Sequence, residues 1–343
     1  MISYLKNPEI QSWEKIFCRP KLEEKKLSQI VEKIWDEVRL KNDNALRELT
    51  KKLDGCEIQD FKVSESRIEQ SKNNIDIELR KSILVAYDNI YRFHNSQIKP
   101  NAKIEISPGV KCWRESRPIN NVGLYIPGGS APLFSTLLML GIPAKIAGVK
   151  NINIVTPPNE DGEIDDVILY VASILEISNI FKIGGAQSIA ALSMGTNTIP
   201  KVDKIFGPGN QYVTKSKFFA SNNGTDIDML SGPSEVFIIA DNSCNPKYVA
   251  ADLLSQAEHG PDSQFILATD DKSVIANVQK EIEEQLLSLP RAETIIKSIK
   301  NSFLVKFENI NDCVKLSNFY APEHLIIASK NFENHVDKII NAG

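Results

Sequence analysis

No two of the five cysteines are close in sequence: Cys18, Cys56, Cys112, Cys244 and Cys313 form no CxxC pair. That spacing supports neither a disulfide framework nor a cysteine-based zinc site, and a reducing cytoplasm is the compartment it leads one to expect. Long apolar runs are missing too. The longest, Leu133–Ala147, is broken by Ser, Thr, Gly, Pro and Lys, and falls short of the roughly 18 apolar residues that mark a membrane span. Met1 to Phe17 carries Lys, Glu and Asn throughout and lacks the apolar centre of a secretory signal. Charge of one sign is not in excess. Against 44 Asp and Glu stand 40 Lys and Arg, a net charge of -4, with no dense basic cluster, so neither a nucleic acid nor a membrane is an expected partner. The Lys-rich stretches at Lys21–Lys26 and Lys51–Lys52 alternate with Glu or apolar residues and read as solvated helix faces. Internal repeats and low-complexity segments are absent, and so is the GxGxxG fingerprint of ordinary dinucleotide-binding folds.

What is present is a chain of 343 residues, 42% hydrophobic and 24% charged, the balance of a soluble globular protein with more than one core. The first third is helical in pattern. Leu27, Ile30, Val31, Ile34, Trp35 and Val38 recur at helical spacing, as do Ile83, Leu84, Tyr87, Ile90 and Tyr91. Ile104–Ile106 and Val110–Trp113 flank Ser107-Pro108-Gly109 and read as a hairpin. From Val122 to Met229 strands alternate with helices, which implies parallel strands joined by right-handed crossovers. A shorter alternation follows: a strand over Val236–Ala240, a helix opened by Asn245-Pro246 and ended at Gly260-Pro261, and a strand over Gln264–Thr269. The expected fold is α/β, with two Rossmann-like parallel-sheet domains, one inserted in the other. Residues 1–20 form an N-terminal helical segment, 21–121 with 236–343 a discontinuous domain, and 122–235 the inserted one.

Three glycine turns each follow a strand and open a helix: Gly128-Gly129, Gly184-Gly185 and Gly207-Pro208-Gly209. Such turns lie at the carboxyl edge of a parallel sheet, where ligands bind, and helix N-termini favour phosphate. Tyr125, Gln187 and Asn210 sit beside them. A nucleotide cleft fits this set, although glycines also serve simply to make tight turns. Gln256 and His259 are three apart at the end of a helix and share a face. An amide oxygen and an imidazole there can ligate zinc, with Glu258 or Asp262 as a further ligand or supporting partner, or the histidine can merely face the negative end of the helix. Glu323-His324, before the apolar run Leu325-Ile326-Ile327, suits acid–base work. The turn Ser231–Glu235 could contact a substrate or bend the chain between domains. His94 and His335 read as ordinary histidines of polar helices.

These segments resemble the histidinol dehydrogenase family. The resemblance rests on Val122–Ser135, Gly184–Gln187, Ile205–Asn210, Asp228–Glu235, Gln256–Gln264 and Ala321–Leu325, in that order and spacing. It implies a cytoplasmic homodimer that uses NAD and Zn2+ to oxidise L-histidinol through histidinal to L-histidine, the last steps of histidine biosynthesis. Tyr125, Gln187 and Asn210 match NAD-contacting positions. Ser234, Gln256, His259 and His324 match substrate-contacting ones, Gln256 and His259 match zinc ligands, and Glu323 and His324 match the catalytic acid–base pair. Zinc in the family orients the substrate; the histidine is the base in both oxidations, and the glutamate activates water for the second.

Members of the family continue beyond the position of Gly343. That segment supplies an Asp and a His to zinc and a Glu to the substrate, and it crosses to the partner subunit. The resemblance therefore implies impaired activity for a chain that ends here. Two alternatives follow: a non-catalytic remnant that keeps a nucleotide cleft and a dimer surface, and a zinc hydrolase using Glu323 on a metal-bound water. The glycine turns beside Tyr125, Gln187 and Asn210 disfavour the hydrolase, which needs no NAD cleft.

Overall fold

The computed structural model describes residues 2–20, 24–98, 101–128, 132–229 and 234–343. In chain order the strands are β1 (Ser3–Lys6), β2 (Ile104–Ser107), β3 (Val110–Cys112), β4 (Asn121–Tyr125), β5 (Asn151–Thr156), β6 (Ile180–Lys182), β7 (Lys204–Phe206), β8 (Asp226–Ile227), β9 (Glu235–Ala240), β10 (Gln264–Thr269), β11 (Phe303–Lys306) and β12 (His324–Ala328). The chain folds into two compact units, one of residues 1–22 with 232–343 and the other of residues 23–231. One unit is thus inserted in the sequence of the other. Its N-terminal boundary differs from the expected 121/122, because the helices of residues 24–95 pack on the inserted unit's helices. An amphipathic pattern shows that one face of a helix is buried; it does not say against which sheet.

The inserted unit is built on a parallel sheet of order β6-β5-β4-β7-β8. Numbered from its own first strand, this is the order 3-2-1-4-5, whose switch point lies between β4 and β7. Helices cover both faces. On one side Trp35, Leu46, Ile189, Leu192 and Val213 form a core; on the other Ile83, Leu124, Leu138, Ile154 and Leu169 form a second. With both faces covered, β4 and β5 are buried at every position after the first, the polar Asn153 and Thr156 included. The expected hairpin is present as antiparallel β2 and β3, exposed at every position.

In the other unit the parallel sheet has the order β1-β11-β10-β9-β12. The central strands β9 and β10 are buried throughout. The N-terminal segment departs from the helical expectation. Ser3–Lys6 is a strand paired in register with Phe303–Lys306, followed only by short helical turns at Ile10–Ser12 and Trp13–Ile16. Its strand character comes from a partner near the other end of the chain, which local pattern cannot supply. All five cysteines are free, and among the described residues no helix is long and apolar enough to cross a membrane.

Candidate functional site

Six of the residues singled out in the sequence fall into two pockets, one on each unit: Tyr125, Gln187 and Asn210 in the first, Gln256, Glu323 and His324 in the second. In the inserted unit β4 ends at Tyr125, and the loops after β4, β5, β6 and β7 meet at the carboxyl edge of the sheet. They draw together because glycines let them. A Cβ on Gly128 would stand 2.3 Å from Pro157 Cγ, and one on Gly184 would stand 2.5 Å from Pro157 Cβ. Gly207 has φ +127° and a Cβ there would lie 2.1 Å from the Tyr125 carbonyl oxygen. Backbone at that φ is open to glycine and strained for other residues. Much of the glycine signal is therefore turn packing upon turn, which is what shapes the pocket. Gly129 lies outside the described residues.

The pocket has a volume of about 750 Å³ and is lined by, among others, Asp54, Tyr125, Gly185, Gln187 and Asn210. Tyr125 is buried, and its hydroxyl accepts a weak hydrogen bond from the Gly185 N–H at 3.4 Å, leaving its own proton free to donate. Burial pushes the Tyr125 phenol up to about 12, so it is protonated across the neutral range. Asn210 is the N-cap of helix Gln211–Asn222. Its side-chain oxygen accepts from the N–H groups of Tyr212 and Val213, so the amide nitrogen is what it can offer a ligand.

Gln187, in the first turn of helix Gly185–Met194, is fully buried, and neither atom of its amide has a hydrogen-bond partner. Leaving a buried polar group unsatisfied costs about 1–3 kcal/mol, so the arrangement is tolerated where a ligand completes it. These groups fit a dinucleotide: phenol and amide donors, an amide acceptor, and a helix N-terminus without a side-chain cap, all at a switch point. Asp54 was not legible in the sequence. It follows helix Asp43–Leu53, and one of its carboxyl oxygens is buried without a partner. Burial pushes its carboxyl up to about 6, which still leaves it largely ionised at neutral pH.

The second pocket lies in the other unit. With a volume of about 340 Å³, it is lined by Asp252, Ser255, Gln256, Glu323 and His324 among others. Helix Ile310–Tyr320 ends at Ala321, which adopts a left-handed φ of +51°, and Pro322 prevents the helix from continuing. Glu323 and His324 come next, where β12 joins β9. Both side chains are exposed, and the imidazole Nε2 lies 3.8 Å from the Glu323 carboxylate.

Buried Glu235 anchors this turn. Its carboxylate accepts from the Glu323 N–H at 3.1 Å and from the Tyr320 hydroxyl at 3.0 Å, and it is paired with the Arg19 guanidinium. Arg19 also donates to the carbonyls of Tyr320 and Ala321 and lies over the Tyr320 ring at 4.2 Å. Neither Arg19 nor Tyr320 carried a sequence signal, because the network joins segments far apart in the chain.

Gln256, on helix Pro246–Ala257, faces the same pocket as Glu323 and His324. His259 does not line it; it is exposed in the turn that follows, its N–H donating to the Gln256 carbonyl at 3.3 Å. Ser234 is half-buried, and its carbonyl accepts from the Gln264 N–H. Ser231, Gly232 and Pro233 of the same turn lie outside the described residues.

Among the described residues no group of three or more His, Cys, Asp or Glu could hold a metal ion. Zinc takes three or four protein ligands, and Gln256 and His259 offer two, of which only Gln256 lines the pocket. The described residues do not by themselves complete the zinc centre that the resemblance implies.

A nucleotide-type pocket at the switch point of one parallel sheet, and a carboxylate–imidazole pair in a pocket of a second unit, define an α/β oxidoreductase. Comparison with known proteins narrows the class. The family model for histidinol dehydrogenase matches residues 18–343. A histidinol dehydrogenase of Bacteroides thetaiotaomicron is 45% identical over 343 residues, a match covering 100% of this chain and 80% of the relative. That of Escherichia coli O157:H7 is 47% identical over 319 residues, covering 92% and 73%. The crystal structure of histidinol dehydrogenase from Elizabethkingia anophelis superposes with a TM-score of 0.95 at 48% identity, covering 100% of this chain and 79% of that one. The chain belongs to the histidinol dehydrogenase family.

Proposed function

We propose that this protein oxidises L-histidinol to L-histidine in two NAD-dependent steps. The observation that carries the reading is the convergence of Gln256 with the Glu323-His324 pair, distant from it in sequence, on one pocket. Bound NAD supplies the hydride acceptor for both oxidations. Tyr125, Gln187 and Asn210 hold it through the hydrogen-bonding groups described above. His324 takes the hydroxyl proton of histidinol as the carbinol carbon loses its hydride, which leaves the aldehyde. Glu323 removes a proton from the water that adds to the aldehyde while His324 returns the proton it holds to the carbonyl oxygen, which gives the hydrate and frees the imidazole to act as base again. His324 then takes a hydroxyl proton of the hydrate as the second hydride leaves, and the carboxyl group of histidine that results gives up its own proton to solvent. The exposure of both side chains gives them access to substrate and solvent. Gln256, which lines the pocket with the base, and Ser234, next in sequence to the Glu235 that anchors the turn before it, are assigned to substrate binding.

The test is NADH formation by the purified protein with histidinol and with histidinal. His324→Ala is expected to lower kcat at least about a hundredfold for both substrates and to leave the melting temperature unchanged. Glu323→Gln is expected to slow histidinal oxidation more than histidinol oxidation. A folded protein that binds NAD+ but forms no NADH from histidinol would leave the non-catalytic reading standing in place of this one.

The partner assigned here is a second copy of the chain. Helix Ile77–Asn95 buries only Ile83 and exposes Ile77, Val85 and Phe93, and the hairpin exposes Ile104 and Ile106. Apolar surface of this kind marks an interface. Light scattering is expected to give a dimer at micromolar concentration, and Ile106→Glu to weaken it; a monomeric wild type would refute the assignment.

A further inference from the structure

In an open sheet of this order the adenosine half of a dinucleotide lies over the second and third strands. A carboxylate at the end of the second strand ordinarily accepts hydrogen bonds from its ribose. Here the second strand, β5, ends in Thr156-Pro157-Pro158, all three of which line the pocket without offering a carboxylate. Asp165 also lines the pocket, but its carboxylate caps helix Asp166–Ile174 by accepting from the Val167 N–H at 2.9 Å.

Asp54 reaches the pocket from a different element. The chain that follows it runs beside β6: the Phe61 carbonyl accepts from the Lys182 N–H, and the Val63 N–H donates to the Ile180 carbonyl. Asp54 therefore approaches from the side of the sheet's third strand. It sits at a helix C-terminus, where the helix dipole disfavours a negative charge, and one of its buried oxygens has no partner. A carboxylate kept in so unfavourable a place has acceptor capacity that a vicinal diol would use.

We infer that Asp54 accepts hydrogen bonds from the adenosine ribose hydroxyls of the bound dinucleotide, and so selects the form without a 2′-phosphate. The inference rests on the nucleotide reading of this pocket. A 2′-phosphate would remove one donor and set a second negative group against the carboxylate.

Calorimetric titration of the full chain with NAD+, NADP+ and 2′-deoxyadenosine NAD+ tests it, with Asp54→Asn and Gln187→Leu as variants. The wild type is expected to bind NAD+ at least about tenfold more tightly than either analogue, the weight of a charge-assisted hydrogen bond. Asp54→Asn is expected to lose about tenfold in NAD+ affinity and to bind NAD+ and NADP+ within about threefold of each other. If Asp54→Asn binds NAD+ like the wild type while Gln187→Leu has lost it, Asp54 is not the ribose acceptor and the nucleotide pocket stands. Equal affinity of the wild type for NAD+ and its 2′-deoxy analogue overturns the inference without any variant. A folded wild type that binds no nucleotide overturns both readings.

Discussion

The two pockets differ in how their polar groups are held. In the inserted unit the groups that face the cavity are buried and partly unpaired: Gln187 is fully enclosed with both amide atoms free, and Asp54 has a buried oxygen without a partner. In the other unit Glu323 and His324 are exposed, and beneath them buried Glu235 and Tyr320 and half-buried Arg19 satisfy one another. One pocket carries unmet hydrogen bonds that a ligand completes; the other presents reactive side chains on a fully bonded support. The first arrangement lowers the stability of the unliganded protein and raises affinity. The second places groups that exchange protons with solvent on rigid backbone.

This contrast is open to attack at its strongest point, the turn packing of the inserted unit. Gly207→Ala should cost about 3 kcal/mol or more, because φ is strained for alanine and the added carbon meets the Tyr125 carbonyl. Urea denaturation followed by fluorescence measures it; a variant with the wild-type midpoint would mean that the turns are not locked together. Gly207 is further pinned by its N–H to Asp228 at 2.7 Å and its carbonyl to the buried Lys217 ammonium at 3.0 Å.

A smaller and more telling change is Gln187→Leu. An ordinary buried polar residue loses stability when its partners are orphaned, but Gln187 has none to orphan. The substitution should leave stability within about 1 kcal/mol of the wild type, or raise it, while NAD+ affinity falls at least about tenfold. Loss of several kcal/mol with affinity unchanged would show a structural amide and erase the distinction between the two pockets.

Much of the fold was legible in the sequence. The alternation from Val122 to Thr269 becomes strands and helices within a few residues of where periodicity places them, because each is buried on predictable faces. Ser3–Lys6 and Phe303–Lys306 were not legible: both are short, the first an edge strand made by its pairing with the second, and the second held between Ser3–Lys6 and β10. Of the site, Tyr125, Gln187 and Asn210 stood out because turn chemistry marks the carboxyl edge of a sheet. Asp54 did not, since an Asp-Gly pair after a helix reads as an ordinary helix end.

The sequence by itself determined the element types from Val122 to Thr269, the three glycine turns and the presence of a carboxylate–imidazole pair, all of which depend on neighbours a few residues away. Only the tertiary structure decided that residues 24–95 belong with the inserted unit, that Asp54 joins Gln187 in one pocket, and that Arg19 braces the turn before Glu323. Those outcomes depend on which buried surfaces meet and on which polar groups are left unpaired when they do. Both are properties of packing between distant segments, and no local pattern encodes them.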